Sequence, residues 1–316
     1  MANITNAKIL SLAQANSSNI NANEGPAAFQ LITNKGTYYA YQYTLSMPIQ
    51  GCWVADISID ANGTWGSDPS TSVADFLPNT LCALRNQPGD FIIIGQISRA
   101  SIWAAENVIK IRICASNQMS TLVDPQNFGN GATIKDVLNT LILQIKQTIP
   151  DFAIDPASDQ SILSQSLPCW SIIGGKTIGN NIATLMKFYG GPTTLWSITP
   201  TGNLLIATPT YPPVDFNYQE QMSTLEYYPN EAKQIIEADR PLILPGQSID
   251  PAVVFDGGNK SSIPTTIAAA DATSSAISIG AASVFEIGGC IVNVEHTLIE
   301  PPDHSHPTFK STILYL

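Results

Sequence analysis

Between residues 131 and 146 the apolar positions fall three and four apart, at Ile134, Val137, Leu138, Leu141, Ile142 and Ile145. That spacing lines one face of an α-helix. The helix opens on Gly131-Ala132-Thr133-Ile134 and must stop before Pro150, whose ring and missing N–H break the ladder. A second helix opens on Gly175-Lys176-Thr177-Ile178, 44 residues later, and carries Ile178, Ile182, Leu185, Met186 and Tyr189 at the same spacing. Gly190-Gly191-Pro192 ends it. Residues 194–199 and 203–207 then read as two short antiparallel strands around Pro200-Thr201-Gly202-Asn203, with Gly202 supplying the positive φ of the turn. Two helix starts of one type, each followed by extended chain, make a compact helix-plus-hairpin module in the middle of the sequence.

On either side the period changes from 3.6 to 2. Trp53, Ala55, Ile57 and Ile59 alternate with Val54, Asp56, Ser58 and Asp60, the pattern of a strand with one buried face. Residues 90–97, with Phe91-Ile92-Ile93-Ile94, and 108–114, with Ile109, Ile111 and Ile113 between Lys110 and Arg112, read as two more strands. Short polar connections without long helices point to a small antiparallel barrel or sandwich over roughly the first 120 residues. Residues 1–50 are Asn- and Ser-rich up to Pro26 and alternate only loosely afterwards, and 63–78 read as loop with an apolar patch at 73–77. Pro209-Thr210-Tyr211-Pro212-Pro213 is a stiff linker into a final region with strands expected at 234–238, 241–244, 283–296 and 309–316. Within it, the Ala/Ser/Thr-rich stretch 261–282 reads equally as a hairpin arm or a loop. The expected class is α+β, mainly β, divided at 1–125, 126–208 and 209–316.

Composition narrows the function. Charged residues are only 12% of the 316 and apolar residues 44%, so Asn, Ser, Thr and Gln must supply much of the polar surface, which suits faces covered in an assembly. The net charge of −11 is concentrated: residues 209–316 hold 13 acids and 4 bases. A protein that tracks phosphates needs clustered Lys and Arg, so nucleic-acid binding of that kind is excluded, as is a polybasic membrane patch. The N-terminus has no basic start or long apolar core, and no window is long enough to span a membrane, so synthesis and folding in the cytoplasm are expected. Five scattered cysteines without a CxxC pair indicate neither a zinc ribbon nor a disulfide framework, and read as reduced core residues.

No candidate chemistry survives a check of spacing. Gly174-Gly175-Lys176-Thr177 resembles the end of a phosphate loop, but the position needing the first glycine holds Trp170. His304 and His306 would lie about 7 Å apart on one face of an extended chain, and with His296 they are weak metal candidates; Pro301, Pro302 and Pro307 mark their segment as a connecting loop instead. Cys290 and His296 are six residues apart, about 20 Å along a strand, too far for a nucleophile and its base. Asp56 and Asp60 stand about 13 Å apart, too far for a glycosidase pair. Asp151, Asp155 and Asp159 recur every four residues without the Gly and Glu of a calcium loop. The expectation is no enzyme, no cofactor and no metal.

The order of several short motifs carries a resemblance. Ser120-Thr121-Leu122-Val123-Asp124, then Thr133-Ile134-Lys135-Asp136-Val137-Leu138, then Gly175-Lys176-Thr177-Ile178, then Leu195-Trp196 through Gly202-Asn203-Leu204-Leu205-Ile206 resembles the baseplate hub proteins of contractile-tailed phages. That superfamily includes the late control protein D group and the hub domain of type VI secretion spike proteins. Val292-Asn293-Val294-Glu295-His296, a proline-rich turn and Lys310-Ser311-Thr312-Ile313-Leu314 look like its closing hairpin. The resemblance runs from about Trp53 to the end and leaves 1–50 and 261–282 unmatched.

The resemblance implies two small tail-tube-like β-barrels flanking the central module. It implies a homotrimer closing a ring that joins the sixfold tail tube to the threefold spike and leaves a channel for DNA. Partners implied are a tail tube or tube-initiator protein, a separate central spike protein and baseplate wedge proteins, with no membrane binding by this chain. The location implied is the baseplate of a virion tail. An acid-lined channel would keep passing DNA from adhering. The competing expectation is another tail component, such as a distal tail or carbohydrate-binding tip protein. A β-domain hydrolase would need Asp56 and Asp60.

Overall fold

The computed structural model describes residues 5–15, 29–60, 71–86, 91–103, 107–190, 195–207, 222–228, 233–238, 245, 291–299 and 308–315. Its first part is a helix, α1 (Asn6–Ala15), and six strands: β1 (Phe29–Thr33), β2 (Thr37–Pro48), β3 (Val54–Asp60), β4 (Leu81–Asn86), β5 (Phe91–Trp103) and β6 (Val108–Cys114). All neighbours are antiparallel in the order β1-β4-β5-β6-β3-β2, and β2 pairs back onto β1 through Thr37, Tyr38 and Tyr39. The six strands therefore close on themselves. Of the barrel and the sandwich, the barrel is the outcome, because closure removes the exposed edges that a small sheet would leave.

The alternation read in β3 and β6 sets the inside. Ala55, Ile57, Ile59, Ile109, Ile111 and Ile113 are all buried, while Asp56 and Lys110 between them are exposed. Phe76 from the 73–77 patch is also buried and meets Tyr38 edge-on at 4.7 Å.

Helix α1 was not legible and is the main addition in the first 50 residues. It lies against β1, β4 and β5, burying Ile9 and Ala13. Its ends are held by residues distant in sequence. The Asn6 and Ala7 amides donate to the Asp151 carboxylate, both at 2.9 Å, and the Ala13 carbonyl accepts from the buried Arg85 guanidinium at 3.1 Å. A carboxylate at the N-terminus and a cation at the C-terminus both complement the helix dipole.

The middle of the chain holds β7 (Gln126–Phe128), α2 (Ile134–Lys146), α3 (Gln160–Leu163), β8 (Trp170–Ile172), α4 (Ile178–Leu185), a π-helical turn at Met186–Gly190, and the hairpin β9 (Trp196–Ile198) and β10 (Leu204–Ile206). The helix faces read from the sequence are buried except at Tyr189, which is half-buried in the π-helical turn, and Gly202 turns with φ +83.

The 44-residue repeat is a repeat in space. The amides of Gly131 and Ile134 donate to the carbonyls of Leu167 and Gln165; those of Gly175 and Ile178, 44 residues on, donate to Val123 and Thr121, which lie 44 residues before Leu167 and Gln165. β7 and β8 pair antiparallel with Asn127 opposite Ser171, again 44 apart. Each half thus supplies the short extended segment, 121–123 or 165–167, that the helix start of the other half docks on.

Each helix start is capped by its threonine. Thr133 accepts from the Asp136 amide while the Asp136 carboxylate accepts from the Thr133 amide, a reciprocal capping box. The Thr133 amide and, after it, the Thr133 hydroxyl donate to the Asp136 carboxylate and hold it below its ordinary pKa of 3.8. A depressed folded pKa means the stabilisation is complete above the ordinary value and is lost as pH falls through the depressed one. Asp136→Asn should therefore lower the melting temperature at pH 7, and the gap to the parent protein should close as the pH falls below the ordinary carboxylate range and through the depressed pKa; parallel thermal melts against pH check this.

In the last third four strands are described: β11 (Met222–Tyr228), β12 (Lys233–Ala238), β13 (Ile291–Ile299) and β14 (Thr308–Tyr315). β11 has no counterpart among the strands expected from sequence, and β12, β13 and β14 overlap 234–238, 283–296 and 309–316. The strand expected at 241–244 and the stretch 261–282 lie outside the described residues. These four strands are not a separate sheet. β13 pairs with β2 over Gln42 to Pro48, beyond the segment of β2 that closes on β1, giving one ten-stranded order β1-β4-β5-β6-β3-β2-β13-β14-β12-β11.

Candidate assembly surface

Without the closing strands β1 and β4, the sheet is a run of eight strands in two units of four, β5-β6-β3-β2 and β13-β14-β12-β11. The two units share more than strand count. Chain order maps β2, β3, β5 and β6 onto β11, β12, β13 and β14. A register shift falls between Ala40 and Gln42 in β2 and between Met222 and Thr224 in β11; another falls between Ile97 and Arg99 in β5 and between Ile291 and Asn293 in β13.

Aligning the bulges fixes every equivalence. The pair Gln42–Ser58 then matches Thr224–Glu237, and Arg99–Arg112 matches Asn293–Leu314. The third pairing is an independent check: Ser58 pairs Lys110, whose equivalent is Thr312, and Thr312 is the residue that Glu237 pairs. The second unit repeats the first residue for residue in its ladder, bulges included. Bulges set local bend and twist, so equal bulges give the two units equal curvature.

The outward surface of the first unit is polar. Across β2, β3, β6 and β5 the register sets Thr44, Asp56, Arg112 and Arg99 in one row and Gln42, Ser58, Lys110 and Ser101 in the next. These residues line a shallow concavity of about 510 Å³. Arg112 donates two bonds to Asp56, at 2.8 and 2.7 Å, and this contact keeps its guanidinium above the ordinary range. Asp56 is thus an exposed partner of an arginine and is not set for acid–base work; the Asp60 side chain lies outside the description. Lys110 Nζ sits 3.5 Å from the centroid of the Trp103 ring. Three cations face one carboxylate here, so the acidic balance of the chain does not extend to this face.

A second surface lies on the central module. Trp170 meets Tyr189 and Phe188 edge-on at 5.5 and 6.2 Å beside a hollow of about 390 Å³, and Phe188 and Leu143 are largely exposed.

The other candidates resolve into structure. The Gly175, Lys176 and Ile178 amides all donate to protein carbonyls, and the buried Asn181 side chain ties Ile173 to Thr177, so the phosphate-like loop has its donors engaged. Its Gly174 is pressed on the Pro125 ring. The three aspartates cap backbone: Asp151 holds α1, Asp155 accepts from Ala157, and Asp159 starts α3 by accepting from Ser161 and Ile162.

His296 stands opposite Leu45 and Ser311 in the register, and His304 and His306 lie outside the described residues. Among the described residues no three His, Cys, Asp or Glu come together as a metal site, and no helix is long and apolar enough to cross a membrane. Of the four described cysteines Cys82 is buried, Cys52 and Cys114 are half-buried and Cys169 is exposed, so the expectation of core burial is met in full only at Cys82. Burial raises the thiol of Cys52 to about 12 and that of Cys114 to about 11, and pushes that of Cys82 up as well. Cys290 lies outside the described residues.

No protein-family model matches the sequence, and no curated protein matches it. Solved structures do. The tail protein from Neisseria meningitidis MC58 matches over 91% of this chain and 95% of its own, with a TM-score of 0.56 at 9% identity. The 43 kDa tail protein of prophage MuSo2 from Shewanella oneidensis matches over 92% and 96%, at 0.57 and 9%. The E. coli c3393 protein matches over 88% and 73%, at 0.56 and 10%; it is described as a component of the type VI secretion system with structural similarity to the T4 bacteriophage tail proteins gp27 and gp5. With a closed six-strand barrel continued by a register-matched second unit, this chain has the fold of the phage tail and type VI spike-related proteins.

Proposed function

We propose that the chain is the structural hub of a contractile phage-type tail baseplate. Three copies form a ring that joins the sixfold tail tube to the threefold central spike and leaves a channel for DNA. The observation that carries this is the duplicated four-strand unit. One chain supplies two units with matching registers and bulges, so three chains supply six, and a threefold body presents a near-sixfold rim. Cyclic closure also satisfies both ends of the sheet.

On this reading the chain divides at 1–125, 126–208 and 209–316, with a tube-like barrel at each end of the central module. It works without catalysis, cofactor or metal, at the baseplate of a virion tail assembled in the host cytoplasm. Its neighbours are a tube or tube-initiator protein, the central spike and baseplate wedge proteins, and DNA only passes through. The acids of 209–316 would line part of the channel, where like charge keeps DNA moving.

The test is mass and symmetry of the purified protein, by light scattering and averaged electron images. A threefold ring with an open centre and six lobes is expected. A stable ring of another order would overturn the proposal and favour a distal tail or tip protein.

A further inference from the structure

The outward row Thr44, Asp56, Arg112, Arg99 crosses four strands of the first unit, and its charges do not balance. Asp56 holds Arg112 through Nε and Nη2. Arg99 stands directly opposite Arg112 on the next strand, exposed, and among the described residues no carboxylate pairs with it. Like charges directly opposite each other weaken a ladder. Lys110, two residues before Arg112 on the same face, adds a third cation, its ammonium lying over the exposed Trp103 ring.

The second unit shows what the ladder itself requires. It repeats the same pairings and bulges with Asn293, Leu314 and Thr312 at the positions of Arg99, Arg112 and Lys110. The backbone arrangement therefore does not need the three cations. An unfavourable pair kept in one of two matched units, over a concavity of about 510 Å³, is a local conflict of the kind that marks a site of function.

We propose that this face binds an extended acidic segment of a partner protein with carboxylates two residues apart. One carboxylate enters between Arg112 and Arg99 and completes an alternating row of Asp56, Arg112, ligand and Arg99; the next reaches Lys110. Residues two apart in an extended peptide repeat at about 7 Å, the same spacing that separates Arg112 from Lys110 along β6. Guanidinium forks match carboxylates in geometry as well as charge. Gln42, Ser58 and Ser101 around the concavity offer further hydrogen bonds. A nucleic-acid backbone fits less well, because Asp56 stands among the cations and the chain as a whole carries −11. The site needs only the first barrel, so it stands apart from the hub reading.

The test is fluorescence anisotropy of a labelled Glu-Thr-Glu-Thr-Glu-Thr peptide titrated with the full chain. Binding should saturate at one peptide per chain and weaken as salt rises past about 0.15 M. Arg99→Gln should lower the affinity at least about tenfold, and Lys146→Gln, at an exposed lysine on α2, should leave it unchanged. Glu-Glu-Glu-Thr-Thr-Thr, equal in charge but wrongly spaced, should bind at least about fivefold more weakly. A second measurement addresses folding: Arg99→Asn with Lys110→Thr, the residues of the second unit, should melt at or above the parent temperature and fail to bind.

A double variant that melts well below the parent makes the cations structural and overturns the site. So does a peptide that does not bind, or one that binds Arg99→Gln as tightly as the parent. Equal affinity for the two peptides overturns the spacing. An oligothymidylate of matched charge that binds as tightly, with the same loss in Arg99→Gln, overturns the acidic peptide in favour of a phosphate backbone. A threefold ring that binds no peptide leaves the hub reading standing without this site, and a monomer that binds it does the reverse.

Discussion

Gly95→Val should prevent the barrel from folding, and Gly95→Ala should cost about 3 kcal/mol. A Cβ at this position in β5 would run into the Trp53 ring at Cη2 and lie 2.7 Å from the backbone carbonyl of Cys114. Neither neighbour can yield. The Trp53 ring is itself buried, and the carbonyl belongs to β6, whose ladder to β3 and β5 sets the barrel. Domains of this size hold about 5–15 kcal/mol in all, so overpacking of that size at the barrel wall removes a large share.

Urea melts followed by tryptophan fluorescence would measure the loss. Gly129→Ala, which meets nothing within 4 Å, is the control and should change stability by less than about 0.5 kcal/mol. In the Gly95→Ala background, Trp53→Leu should recover part of the loss, since the two changes share one contact. A Gly95→Ala protein as stable as its parent would show that the close packing of Trp53 on β5 is wrong.

Arg85→Ala is expected to cost about 3–5 kcal/mol and to release α1. The buried Arg85 side chain fills space between β4 and α1 and donates to the last turn of the helix. Truncation leaves a cavity on the order of 100 Å³, worth about 2 kcal/mol at ~24 cal/mol per Å³. It also leaves the Ala13 carbonyl without its donor, about 1–3 kcal/mol more. Burial works against the charged form, lowering the pKa of the guanidinium.

Arg85→Met, which keeps the volume and removes the buried charge, should therefore cost much less, about 1–2 kcal/mol. Hydrogen exchange separates the two effects. Amides of α1 should lose protection in Arg85→Ala and keep most of it in Arg85→Met, while those of β3 and β6 stay protected in both. Equal loss in the two variants would make the hydrogen bond, rather than filled volume, the anchor of the helix.

Much of the central module was legible in the sequence because its determinants are local. The apolar stripe of α2, the threonine caps and the Gly202 turn each act within a few residues, and the structure keeps them; the Gly190-Gly191-Pro192 stop is equally local, and its last two residues lie outside the described residues. The one local departure is the π-helical widening at Met186–Gly190, just before that stop. Strict alternation likewise gave β3 and β6, since one buried face leaves a period of two.

Elements fixed by distant partners were not legible. α1 has only a modest apolar stripe, and its anchors are Asp151, Arg85 and the barrel wall. β5 continues through the polar run Ser98-Arg99-Ala100-Ser101 because β6 is there to pair with it. β11 was missed for lack of a strong alternation.

The duplicated unit shows the division most clearly. β3 and its equivalent β12 place identical residues opposite each other only at Ile57 and Ile236, so no comparison of side chains reveals the repeat. It is written in ladder registers and bulges, which are properties of backbone pairing between strands far apart in the chain. The sequence by itself determined the strand-rich class, the capped helices and the order of motifs that resembles a tail hub. Only the tertiary structure decided that the barrel closes and that β2 serves two partners. Those outcomes depend on which edges meet, and an edge offers the same amides and carbonyls whatever side chains it carries.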